Sequence, residues 1–137
     1  MKKTVGKIFT LAMAALMLLC SIPASADYGV APANIAITTS SVSLDYEGFG
    51  VLLCYGETQV QPGYTAKTKV ELQRNEDSGW ETIKTWTKTS TGTMAVIERN
   101  YAVESGYEYI VIATHYAYED GTLIESYSLE SDIVDLT

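Results

Sequence analysis

Beyond residue 30, apolar and β-branched residues come in short runs that alternate with polar ones at a period of two. No segment keeps apolar positions at helical spacing for three turns. Such a pattern belongs to strands rather than helices. It predicts strands at about 34–39, 42–46, 49–60, 65–74, 80–88, 93–103, 107–118 and 122–130, seven or eight depending on whether the first two are one bent strand. The punctuation between them agrees. Asn75-Glu76-Asp77-Ser78-Gly79 links two runs, Pro62-Gly63 breaks another pair, and Asp120-Gly121 between alternating segments is a strong hairpin cue. Seven to eight antiparallel strands in about a hundred residues predict an all-β fold of two packed sheets, an antiparallel β-sandwich.

The N-terminus has a different texture. Lys2, Lys3 and Lys7 precede an apolar run from Ile8 to Cys20, followed by Ser21-Ile22-Pro23-Ala24-Ser25-Ala26. A basic start, a short apolar stretch and a small-x-small site make a secretory signal peptide over residues 1–26, leaving 27–137 as a single domain. The run is shorter than the ~20 residues of a spanning helix and no second one follows, so no membrane span is expected. Leu18 and Leu19 stand before Cys20 where a lipid-attachment site needs small residues, so the expected cut follows Ala26 and the protein is expected to be extracellular.

Removal of that leader changes the electrostatics. Three of nine basic residues leave and all seventeen acidic ones stay. The remaining cations, Lys67, Lys69, Arg74, Lys84, Lys88 and Arg99, are spread thinly and form no basic surface for a phosphate backbone, which argues against nucleic acid as a partner. Cys54 is left alone, so no intramolecular disulfide is available, and its apolar context "FGVLLCYG" reads as a small buried hydrophobe.

Two aromatic groups remain to be placed. In "YAVESGYEYIVIA", Val103, Gly106 and Tyr109-x-Val111-x-Ala113 resemble the corner and following strand of fibronectin type III and immunoglobulin-like sandwiches. That resemblance implies that the Tyr109 hydroxyl bonds back to the corner. Tyr109, Val111 and Ala113 then face the core, while Ile110, Ile112, Tyr116 and Tyr118 point the other way. In "WETIKTWTK", period two puts Trp80 and Trp86 on one side of a strand, with Ile83 opposite. Such a pair either stacks a sugar ring or divides between core and edge. The candidate binding surface is therefore Trp80, Trp86, Tyr116 and Tyr118.

Leu72-Gln73, Trp80, Lys84, Trp86, Tyr101-x-Val103, Gly106-Tyr107-x-Tyr109-x-Val111, Gly121 and Glu125-Ser126 together resemble short secreted proteins of Gram-positive bacteria grouped as a domain of unknown function. The resemblance runs over roughly residues 30 to 130 and implies a secreted β-sandwich without a catalytic residue. The segment that is usually small and glycine-rich is here "GFGVLLCYG".

Catalytic constellations are poorly supplied. His115 is the only histidine, so any serine or cysteine triad must use it, as a Cys54–His115 pair would, and no HExxH or CxxC spacing exists for zinc. Glu119-Asp120 and Glu130-Ser131-Asp132 offer hard oxygens without the order of a calcium loop. The expectation is a non-enzyme without cofactor or metal. Two function classes stay open: a binding module for carbohydrate or for another extracellular protein, and a structural or accessory protein that packs against copies of itself or a cell-surface assembly.

Overall fold

The period-two runs do become strands, in a computed structural model that describes residues 35–137. The expected leader at 1–26, Cys20 within it and the Asp27 start lie outside the described residues. Eight strands follow one another: β1 (Ile37–Gly48), β2 (Val51–Val60), β3 (Thr65–Glu76), β4 (Gly79–Thr89), β5 (Met94–Ala102), β6 (Glu108–Glu119), β7 (Thr122–Glu130) and β8 (Val134–Asp135). β1, β2 and β5 form a three-stranded sheet in that order, and β4, β3, β6 and β7 a larger one, with β8 paired to β6. All pairings are antiparallel. The protein is an all-β sandwich, and among the described residues no helix is long and apolar enough to cross a membrane.

Some boundaries differ from those predicted. From Ile37 on, the runs expected at 34–39 and 42–46 are one strand, β1, with irregularities between Ile37 and Thr39 and between Tyr46 and Gly48. The run expected from residue 49 starts at Val51, because Phe49 and Gly50 form a two-residue turn with φ of 53° and 72°. Asp120 and Gly121 have φ of 47° and 80°. Positive φ at both central residues is what a type I′ hairpin requires. Asp-Gly suits it and Phe-Gly does not, which is why the second hairpin was legible and the first was not. β8 was not expected. It continues the line of β7 past Ser131, whose hydroxyl accepts the Val111 N–H at 2.9 Å.

Alternation fixes what is buried. Leu52, Cys54, Gly56, Thr58 and Val60 of β2 face Ala66, Thr68, Val70 and Leu72 of β3 and the odd positions of β6 from Tyr109 to Ala117. Leu44, Leu52, Cys54, Val70, Leu72, Ile97, Tyr109, Val111 and Ala113 make one apolar cluster. Ala36, Ile37, Val60, Ala66, Ala95 and Ala117 make another towards the opposite pole. Tyr109 is fully buried, and its hydroxyl donates to the Glu104 carbonyl at 2.5 Å, the corner bond expected from the sequence.

Where the two clusters meet, the core is polar. Thr68 donates to the Ala95 carbonyl at 2.8 Å, Thr58 lies 2.7 Å from Thr68, and His115 Nδ1 lies 2.8 Å from Thr58. Each hydroxyl has a single proton and a carbonyl only accepts, so the chain is directed: Nδ1–H to Thr58, Thr58 to Thr68, Thr68 to Ala95. This fixes the neutral imidazole tautomer and leaves Nε2 a buried acceptor without a partner among the described residues. Burial drives the His115 pKa down to about 4, with only the Glu57 backbone pulling the other way. Nearby, Glu125 holds the entry to β1, its carboxylate accepting the Ala36 and Ile37 N–H groups at 2.8 and 3.0 Å.

Candidate ligand surface

The strand that carries both tryptophans is an edge strand, and its register decides where they point. Leu72 pairs with Lys84 and Gln73 with Thr82, so Ile83 is an extra residue in β4. A β-bulge of this kind reverses parity beyond it. Trp86 pairs with Val70 on the inner face, where it packs against the core and meets Tyr101 edge-on at 5.8 Å and 81°. Trp80 pairs with Asn75 on the outer face and is 39% exposed. The expectation that Trp80 and Trp86 share a side, with Ile83 opposite, is therefore corrected. Ile83 packs against the same cluster as Trp86.

Tyr116 and Tyr118 do share a side. Both lie on the outer face of the five-stranded sheet, opposite Lys67 and Thr65. Their rings stack at 6.3 Å and 25°, and the Lys67 ammonium sits 5.1 Å from the first ring centroid and 5.9 Å from the second. β6 is central, flanked by β3 and β7, so its outer side chains lean on their neighbours: Ile110 is buried, while Ile112, Tyr116 and Tyr118 are half-buried. Trp80 shares this face but stands level with Asn75, eight residues along β3 from Lys67, a distance of about 26 Å at strand rise. The four aromatic residues do not form one platform. Only the tyrosines are brought together.

Beside them lies a depression of about 320 Å³ lined by Thr65, Lys67, Thr89, Tyr118 and Gly121. Its floor is supplied by adjacent strands, since Lys67 pairs with Thr89 on one side and Tyr116 on the other. Lys69 pairs with Glu71 at 3.3 Å, and Arg74 with Glu76 and with Glu104. Lys67 makes no such pair among the described residues. The hollow thus offers one aromatic flank, two threonine hydroxyls and an ammonium held over aromatic rings, an arrangement able to take an apolar or sugar-like face with a hydroxyl or carboxylate at its rim. Sequence reasoning missed Thr65, Lys67, Thr89 and Gly121. They come from two strands, β3 and β4, and the β6–β7 turn, and only the register unites them with Tyr118.

The Cys54–His115 pair fares differently. Cys54 and His115 are both fully buried, burial pushes the thiol up to about 12, and His115 spends its Nδ1 proton on Thr58. A thiolate–imidazolium pair needs a lowered thiol and a raised imidazole, the reverse of both shifts. Among the described residues, no group of three or more His, Cys, Asp or Glu side chains is placed to hold a metal ion. No protein-family model matches the chain, and no curated protein matches it.

Proposed function

We propose that the protein is a secreted, non-catalytic binding module that engages its ligand through the outer face of the five-stranded sheet, at the hollow beside Tyr118. The observation that carries this reading is the unpaired Lys67 ammonium set over two stacked tyrosines at the edge of that hollow. The leader-like N-terminus and the resemblance to small secreted sandwiches of Gram-positive bacteria support an extracellular setting. Neutral oligosaccharides and apolar side chains of an extracellular protein both fit the chemistry, because a strongly acidic chain repels polyanions.

Titration of isotope-labelled protein with soluble cell-wall oligosaccharides tests the glycan form. Amide shifts confined to Thr65, Lys67, Thr89, Tyr118 and Gly121 would support it. No response at millimolar sugar would remove glycans and leave a protein surface as the ligand. The structural alternative, a sandwich that packs against copies of itself, is favoured by a separate observation: Phe49 stands fully exposed at the tip of the β1–β2 hairpin.

A further inference from the structure

An aromatic ring left wholly in water on a strained backbone calls for an explanation in a different way from scattered surface leucines. Phe49 is fully exposed and has φ of 53°. This is the left-handed region, where a bulky side chain is an outlier and where Asn or Asp would sit comfortably. The chain uses Asp120 in the corresponding position of its other two-residue hairpin. The Phe49 tip is also held in place. The Gly50 N–H donates to the Tyr46 hydroxyl at 3.2 Å, and the Gly50 carbonyl accepts the Val103 N–H at 2.8 Å. Holding an exposed ring in a costly, fixed conformation favours binding, because less freedom is lost when it docks.

We propose that the protein associates with itself head to tail, the Phe49 tip of one copy seating in the Lys67–Tyr118 hollow of the next. The proposal rests on the reading of that hollow as a binding surface and names its partner. The two parts fit by size and in part by charge: the hollow of about 320 Å³ has room for one aromatic ring and presents the Lys67 ammonium to exposed Asp45 and Glu47 near the tip, while exposed Glu119 and Asp120, in the turn between Tyr118 and Gly121, oppose them and weaken the contact. They lie at opposite poles. β2 leads from the Phe49 turn at Val51 to Val60, about 30 Å of strand, and the hollow lies at the far end with Gly121. In the head-to-tail arrangement a copy leaves its own tip free when its hollow is filled, so the contact is heterologous and gives open chains, or a ring where the rotation closes. One ring and a small charged rim bury less than a standard interface, so the association is weak and belongs to high local concentration.

Sedimentation equilibrium of the exported protein in physiological salt, from micromolar to millimolar, reads this directly. The weight-average mass should climb with concentration without levelling at a dimer. Phe49→Asn removes the ring and relieves the turn, and Lys67→Glu reverses the charge of the hollow. Each should weaken association by roughly tenfold or more. Thermal melts establish that both variants are folded, with Phe49→Asn at least as stable as the parent. An equimolar mixture of the two variants retains one intact tip and one intact hollow, and should pair but stop at heterodimers. A parent that stays monomeric at millimolar concentration, an association indifferent to Phe49→Asn, or folded variants that fail to pair on mixing would each overturn the proposal. If self-association fails while oligosaccharide still shifts the amides of the hollow, the binding module survives without this partner.

Discussion

His115 Nδ1 and the Thr58 hydroxyl lie 2.8 Å apart in the middle of the sandwich, across the gap between the two sheets. This bond begins a directed chain that ends on the Ala95 carbonyl, and it holds in neutral form a histidine whose burial penalises charge.

The consequence is acid sensitivity. The folded-state pKa of about 4 lies below the ordinary histidine value of about 6.5, so the unfolded chain takes up the proton first as pH falls. The contribution of a neutral His115 is complete above about pH 6.5 and is lost as pH drops towards 4, by a total of about 3 kcal/mol. Urea melts at pH 7, 5.5 and 4 should show this step. His115→Asn retains a donor towards Thr58 and should lose stability at pH 7 but have a flatter profile over that window. Equal slopes in parent and variant would assign the acid lability to carboxylates instead.

Tyr109 makes the corner bond to Glu104 from a fully buried position. Tyr109→Phe should cost about 1 kcal/mol through the lost hydrogen bond, and Tyr109→Ala about 3 kcal/mol or more through the cavity. Thermal or chemical melts measure both, and a Phe variant indistinguishable from the parent would mean that the Glu104 carbonyl finds water at no loss.

Tyr109 also shows what a one-dimensional pattern carries. Strand alternation is local, so the inward set of β6 and the buried set of β2 could be read directly, as could the Asp120-Gly121 hairpin. The bulge at Ile83 could not. Nothing in "WETIKTWTK" marks the extra residue, which exists because Ile83 and Trp86 both pack against the core. One such residue sent Trp80 to the other face and dissolved the expected platform. The hollow escaped for the same reason, since Lys67, Thr89 and Tyr118 are neighbours only through register.

Gly56 sits where the two sheets approach closely. A Cβ built there would stand 2.6 Å from Val70 Cγ2 and 3.3 Å from Ala113 Cβ. Gly56→Ala should therefore lower stability by about 1–3 kcal/mol despite adding a single methyl group. Gly56→Ala with Val70→Ala should recover part of that loss relative to Val70→Ala alone. Simple additivity would show that the sheets move apart without strain.

Cys54 is buried and unpaired among the described residues, with its thiol pushed up to about 12 by burial. Thiol reagents should label the native protein slowly at pH 8 and the urea-unfolded protein at the rate of a free peptide. Rapid native labelling would reveal an opening of β2 that the packed core does not suggest.

The two tryptophans should separate in a single experiment, because the bulge gives them opposite environments. Trp80 is exposed on the outer face, whereas Trp86 is half-buried against Val70 and Tyr101. In Trp86→Phe the remaining Trp80 should emit at long wavelength and be quenched efficiently by iodide. In Trp80→Phe the remaining Trp86 should emit to the blue and resist the quencher. Truncation separates them again: Trp86→Ala removes a large part of the inner edge of the sheet and should cost about 3 kcal/mol, while Trp80→Ala should stay within about 0.5 kcal/mol. Neither substitution touches the hollow, some 26 Å from Trp80 at strand rise, so ligand-induced shifts at Lys67 and Tyr118 should persist in Trp80→Ala. Loss of those shifts on removing Trp80 would place the ligand along the whole outer face and restore the tryptophan to the binding surface.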